Sequence, residues 1–330
     1  MKKFFFLLAC VSMSVLSMAQ VNQLVWANGR LLYGTPIESI DSLTYDEMED
    51  VDTLHLLLPR TLIKVVHDTV YIHDTVYVET DCGGEIPSAG IGVFSVAEGR
   101  TVTFSKGNLQ YHPANNKWRF AESQWDYIGD ANSNCSSTYN GWLDLFGWST
   151  TATNFGVSTS TNEDDYSGSF VDWGTNKIGN DVPNTWRTLT YDEWSYLRYD
   201  RTNADDLVGV AQVNGVNGLI LLPDNWTCPA GVAFKSGFHS NYGVEYYAVY
   251  QTFTAAEWSK LEAAGAIFLP AAGIRWGTDV YDVQYHGVYW ADTKYYGFNA
   301  YNLEFLSDRA VVSYGGRNDG GRSVRLVKDL

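Results

Sequence analysis

Positive charge is what this chain has least of. Twenty-two lysines and arginines face 38 aspartates and glutamates, a formal net charge of −16. Nucleic acid and anionic membranes are bound through basic patches, so neither is expected as a partner. Charged residues of both signs make up only 18% of the chain, while glycine occurs 30 times. That balance argues against helical bundles and for a fold rich in strands and loops. Cysteine is scarce, and neither a CxxC pair nor a Cys/His cluster is present, so no metal and no cofactor are expected. Beyond the N-terminus no apolar run is long enough to span a bilayer.

What is there begins with an export signal. Lys2 and Lys3 precede an apolar run that ends in Ser17-Met18-Ala19, small residues placed for signal-peptidase cleavage before Gln20. A lipoprotein box at Leu7-Leu8-Ala9-Cys10 is the rival reading, but only a short apolar stretch precedes Cys10. The chain is expected to be exported, to the periplasm, the cell surface or the medium. Cys82, Cys135 and Cys228 then remain, enough for one bridge. Cys135 and Cys228 fall in the same domain and are the expected pair.

Composition divides the chain into a signal peptide (1–19), a small β module (20–58), an extended linker (59–90) and one main domain (91–330). In the module, Ala27-Asn28-Gly29-Arg30 predicts a tight hairpin, because Asn-Gly supplies the positive φ angles such a turn needs. The linker carries a repeat, His67-Asp68-Thr69-Val70-Tyr71 followed by His73-Asp74-Thr75-Val76-Tyr77. Six strand residues separate the two histidines by about 20 Å, too far to share one ion, so the repeat reads as an extended stalk.

In the main domain Asp130, Asn132 and Asn134 imitate the opening of a calcium loop. The sixth position is Cys135 where glycine is required, and the twelfth is Gly141 where glutamate is required, so an Asx-turn loop is expected. Glu163-Asp164-Asp165 lies in a long polar loop, 149–184, and reads as a solvated charge run. Two helix starts are sharper. Thr190 with Glu193, and Thr254 with Glu257, have the capping-box spacing; Leu189 with Trp194 and Phe253 with Trp258 have that of a hydrophobic staple. Gly265 supplies the stop of the second helix. Two short capped helices among strands predict an α+β fold.

These pieces resemble a family. WRTLTYDEW resembles the R-L-P-T-x-x-E-W helix start of the formylglycine-generating-enzyme (sulfatase-modifying-factor) branch of the C-type-lectin fold. Gly320-Gly321-Arg322-Ser323-Val324-Arg325-Leu326-Val327 resembles its closing G-x-R-x-V/L strand. From Gly107 to Val327 the chain is also similar to paralogous exported proteins of gut anaerobes, through GNLQY, NGWLDLFGW, GLILLPDNW, AIFLPAAG and SVRLV. The resemblance implies a C-type-lectin-like domain. It does not imply the branch's oxidase activity, which uses a C-terminal cysteine pair, since no cysteine follows Cys228. Leu222-Pro223-Asp224-Asn225 and Arg317-Asn318-Asp319 depart from the calcium triplets of sugar-binding relatives, so calcium-dependent sugar binding is not implied. Relatives diversified by retroelements vary Tyr-, Asp-, His- and Asn-rich positions before the closing strand, and 279–286 and 314–319 have that character.

The stretch from Trp276 to Asp319 holds seven tyrosines in 44 residues. Rigid amphipathic rings among small polar residues are the chemistry of a recognition surface. The expected ligand-binding residues are Trp276, Asp279, Tyr281, Tyr285, His286, Tyr289, Tyr295, Tyr296, Arg317 and Asn318, carried on loops, with Trp290 assigned to the core. The expected function is therefore non-enzymatic: recognition of a protein or glycan ligand. A structural or adhesin subunit of a surface assembly is the first alternative, and a carbohydrate-active hydrolase with unassigned carboxylates the second. The export reading is checked by mass spectrometry of the secreted chain. Its N-terminus should be Gln20, and a product that retains Met1 contradicts it.

Overall fold

A computed structural model describes residues 92–239 and 249–330, the side chain of Tyr314 excepted, and the backbone of four strands nearer the N-terminus. The chain divides into two units, Met1–Glu85 and Ile86–Leu330. In the first, β1 (Asn22–Ala27) pairs antiparallel with β2 (Arg30–Pro36), Ala27 opposite Arg30, the register that a two-residue Asn-Gly connection dictates. β3 (Thr53–Leu58) and β4 (Thr61–Val66) form a second hairpin with Leu58 opposite Thr61. The expected boundary between residues 58 and 59 falls between these two paired strands. The His67–Tyr77 repeat, the signal peptide and Cys82 lie outside the described residues.

The second unit is mixed α and β, dominated by antiparallel sheet with two short helices: an α+β fold. β5 (Phe94–Ala97) and β6 (Arg100–Phe104) pair with each other, and β6 also pairs with β18 (Val327–Asp329) at the far end of the chain. β7 (Leu109–His112) and β8 (Lys117–Phe120) make a hairpin around Pro113–Asn115. After them comes α1 (Tyr191–Ser195). β9 (Val208–Val213), β10 (Val216–Leu221), β11 (Thr252–Phe253) and β12 (Ile267–Pro270) form a four-stranded sheet in the order β11-β9-β10-β12, with α2 (Ala255–Ala263) between its last two strands in sequence. β13 (Ile274–Trp276) and β14 (Asp279–Tyr281) form a ribbon. β15 (Gly287–Lys294), β16 (Asn299–Leu306) and β17 (Arg309–Arg317) form a meander.

Both helices start as their residues dictate. Thr190 Oγ1 accepts from Glu193 N at 3.1 Å, and the Glu193 carboxylate accepts from Thr190 N at 2.9 Å. Thr254 and Glu257 repeat the exchange. Glu193 is buried and also receives Arg187 and Arg100, which compensates the cost of burying its charge. α2 ends at Gly265, whose φ of +94° is left-handed and whose backbone packs on Gly92. Trp194 and Leu197 of the first helical segment and Trp258 and Leu261 of the second are buried. Each such side chain contributes about 1.5–3 kcal/mol of transfer free energy. A separate cluster of Trp118, Phe146, Trp148, Trp173 and Trp290 fills the space under the long loop 149–184, and Trp290 is core as its sequence context implies.

The expected Cys135–Cys228 disulfide is not formed. Both cysteines are free thiols, and Cys228 is exposed with its sulfur against the carbonyl of Val232. Pairing them by domain membership took no account of the Cα separation and side-chain direction a disulfide requires. The Asx-turn loop expected at 130–134 is instead a short 3-10 helix, Gly129–Ser133. Asn132 is buried and donates to Asp144 Oδ1 at 2.8 Å, while its own oxygen accepts from the backbone of Asp144 and Leu145.

Asp144 is fully buried without an ion-pair partner among the described residues, and burial pushes its carboxyl up to about 6 from the ordinary 3.8. A group whose pKa rises on folding stabilises the fold below its unfolded pKa, and loses that contribution as pH climbs through the folded value. Between pH 4 and pH 7 Asp144 therefore costs the fold about 2 kcal/mol. Urea unfolding at both pH values should show Asp144→Asn with a smaller loss than the parent. An equal loss contradicts the assignment.

Candidate functional site

The stretch expected to be loops is largely strand, because residues 287–317 form the three-stranded meander. That placement sorts the ten expected ligand-binding residues into three groups and removes two of them.

Tyr289 is the first correction. It is fully buried on β15, its ring stacked against Phe305 with centroids 6.1 Å apart. Its hydroxyl donates to Pro270 O at 2.9 Å and accepts from Asn108 at 3.2 Å, and burial holds that hydroxyl above its ordinary pKa. Asn318 is the second. It is 1% exposed, its backbone N–H donates to Phe298 O and its carbonyl accepts from Trp148 N, so it ties down a turn and presents nothing to a ligand.

Trp276 and Arg317 belong to a latch. The Arg317 guanidinium grips Asp319 through two bonds of 3.0 and 2.8 Å, pairs with Glu163 at 3.1 Å and lies 5.3 Å from the centroid of the Trp276 ring. Asp319 is fully buried at its side chain, and hydrogen bonding to it raises the Arg317 pKa. The contact ties the Glu163–Tyr166 turn to the end of β17. Glu163, read from sequence as a solvated charge, is thus a structural partner. Asp164 and Asp165 stay exposed, and with Thr153, Asn154 and Ser158 they line an open hollow of about 480 Å³. No group of three or more potential metal ligands occurs among the described residues.

Asp279, Tyr281, Tyr285 and His286 form the second group, on β14 and the turn after it. Two residues of this turn are left-handed without being glycine, Asp282 at φ +57° and Gln284 at φ +69°. Such conformations persist where surrounding bonds over-determine them. Here the clasp is Gln284. Its Oε1 accepts from Asn217 N at 2.7 Å, its Nε2 donates to Tyr127 Oη at 2.9 Å, its backbone oxygen accepts from Asn217 Nδ2 and its N–H donates to Ala271 O. Tyr285 N and His286 N both donate to Asp282 O at 2.9 Å. Beneath the turn Gly273, at φ +80°, lies so close to Tyr281 O that any side chain would displace it. On this scaffold Tyr281 and Tyr285 are 46% and 44% exposed. The Tyr281 hydroxyl reaches Asp279 at 3.3 Å, and the Asp279 charge raises its pKa. His286 sits 3.5 Å from Glu304, whose carboxyl is held below its ordinary range by that contact and by Arg309.

Tyr295 and Tyr296 are the third group, at the hairpin between β15 and β16, exposed by 47% and 81%. They follow β15 whereas Tyr285 and His286 precede it, so eight strand residues, roughly 23 Å, separate the two exposed groups. The expected single surface is therefore two. Sequence reasoning missed Gln284, Asn217 and Tyr127, which fix the turn. Nothing in the spacing of those residues marks them as partners, for they come from three separate segments.

Removing the clasp should loosen the turn. Gln284→Ala leaves Asn217 N and Tyr127 Oη without their partners and should cost about 1–3 kcal/mol in urea unfolding. The Tyr285 and His286 amides should exchange faster than in the parent while β15 amides do not. Unchanged exchange at Tyr285 and His286 contradicts the clasp.

Compared with family models, with curated proteins and with solved structures, the chain matches none.

Proposed function

We propose that this chain is an exported recognition protein, a C-type-lectin-like domain that binds a protein or glycan ligand through the turn at 279–286 without catalysing a reaction. One observation carries the reading. A turn with two left-handed residues, held by the four contacts of Gln284, presents Tyr281 and Tyr285 to solvent. Holding rings in place before a ligand arrives lowers the ordering cost of binding. Tyrosine then supplies large contact area with a polar tip, which suits both peptide and sugar surfaces.

The lectin-like assignment rests on the resemblance of WRTLTYDEW, of the Gly320–Val327 close and of the GNLQY, NGWLDLFGW, GLILLPDNW, AIFLPAAG and SVRLV blocks. Export rests on the run from Lys2 to Ala19. Sequence diversification, if it operates, fits 279–286 and not 316–319, because Gly316, Asn318 and Asp319 are buried and partnered.

The test is an array of glycans and surface proteins probed with the purified chain, with and without calcium. Binding should be calcium-independent. Tyr281→Ala and Tyr285→Ala together should weaken it by about 2 kcal/mol, roughly thirtyfold, as loss of an aromatic anchor does. Both residues are exposed, so the melting temperature should barely move. Binding that survives the double substitution overturns the proposal.

A further inference from the structure

Each exposed tyrosine of the 279–286 turn stands beside a carboxylate. Asp279 and Tyr281 are two residues apart on β14 and so share one face of the strand, and the Tyr281 hydroxyl donates to Asp279 Oδ2 at 3.3 Å. Tyr285 N donates to Asp282 O at 2.9 Å, so Asp282 and Tyr285 are the two ends of a β-turn, within about 7 Å of each other at Cα. All four residues are exposed. Among the described residues neither tyrosine ring meets another ring or a cation.

No basic side chain of the domain neutralises these two carboxylates. Among the described residues neither Asp279 nor Asp282 takes part in an ion pair, and the cations on the flanking elements are engaged elsewhere. Arg275 of β13 is buried and donates to Gly277 O, Ser158 O and Leu145 O. Arg309 of β17 lies 3.7 Å from Glu304 and 3.4 Å from Asp308, and His286 lies 3.5 Å from the same Glu304. Arg317 holds Asp319 and Glu163, and Arg322 is buried against Trp290. From Trp276 to Thr293 the sequence contains no lysine or arginine, and the exposed Lys294 ends β15 on the far side from the turn.

Two uncompensated charges beside two aromatic rings select a ligand by sign. Ring faces carry the negative side of a quadrupole and attract cations within about 6 Å of the centroid, so rings and carboxylates favour the same charge. An anionic glycan is repelled by both carboxylates and by the chain as a whole, at −16. A neutral sugar would stack on the rings and leave both charges to water.

We infer that the ligand of this turn is a basic polypeptide segment, whose arginine or lysine side chains lie against the Tyr281 and Tyr285 rings with Asp279 and Asp282 as counter-charges. On the reading that this turn is the recognition site, the ligand is a protein and not a glycan.

The probe is a short Gly/Ser peptide carrying arginines, set against the same peptide with citrulline, which keeps the side-chain shape and removes the charge. Calorimetric titration of the full chain should show the arginine peptide binding at least about fivefold more tightly, with affinity falling as salt is added. Asp279→Asn and Asp282→Asn each remove one charge and keep the shape, and asparagine tolerates the left-handed backbone at 282. Each should weaken the arginine peptide about two- to fivefold and melt as the parent does. Glu98→Gln, on the exposed turn between β5 and β6, should change nothing, which separates these two carboxylates from net charge. Equal binding of the citrulline peptide, no binding of either peptide, or full affinity in both Asp279→Asn and Asp282→Asn overturns the inference. A neutral or sulfated oligosaccharide whose binding is lost when Tyr281→Ala and Tyr285→Ala are combined overturns it too, and leaves the turn's role in recognition standing. If no ligand of either class is lost on that double substitution, the recognition site itself falls, and the inference with it.

Discussion

The second unit depends on the backbone pairing of the segment that runs from Gly321 into β18. Between Gly321 and Val327 the chain exchanges hydrogen bonds with Arg275, Phe146, Val288, Trp290, Leu109, Ser105 and Arg187, residues that reach from Ser105 to Trp290 in the sequence. Val324, Leu326 and Val327 are fully buried, so this is the centre of the domain. A buried backbone group left unpaired costs about as much as a lost hydrogen bond, and this one segment satisfies partners on both of its sides. Two buried arginines accompany it. Arg322 lies 4.2 Å from the centroid of Trp290, and Arg325 donates to Asn108 and Gln124. Burial lowers both to about 10, which leaves them charged at neutral pH. Arg187, just before α1, grips Asp329 beyond the segment and Glu193 within the helix, and so joins the closing strand to the capping box.

That constraint explains why the exposed tyrosines can be held so firmly. Arg275 on β13 pairs with Gly321, and Val288 on β15 pairs with Ser323, so both elements flanking the 279–286 turn are fixed by the same strand. The turn then needs only the Gln284 clasp to hold its two left-handed residues. The hairpin at Tyr295 and Tyr296 leaves the other end of β15 and packs against α1. Two exposed tyrosine-bearing segments thus flank β15: the clasped turn that carries Tyr281 and Tyr285, and the hairpin that carries Tyr295 and Tyr296.

Much of the scaffold was legible because the signals were local. The capping boxes at Thr190 and Thr254, the Asn28-Gly29 hairpin and the Gly265 stop each follow from a few adjacent residues. Tyr289 reads as a loop residue in the sequence for a physical reason. In β15 the residues Gly287 to Ala291 are all buried, so the two-residue alternation that marks a half-buried strand is absent and the segment reads as a tyrosine-rich loop. The Arg317 latch and the Gln284 clasp join segments far apart in sequence, and no spacing rule encodes them. Cys135 and Cys228 show the same limit, since proximity in space cannot be read from membership of one domain.

The central claim is that the closing strand is the last element to let go, and it is measured by native-state hydrogen exchange in increasing urea. The amides of Gly321, Arg322, Ser323 and Val327 should exchange only through global unfolding, with the full denaturant dependence of the equilibrium transition. If they instead exchange through a smaller local opening while β15 and β16 stay protected, the strand is a peripheral closure and the account is wrong.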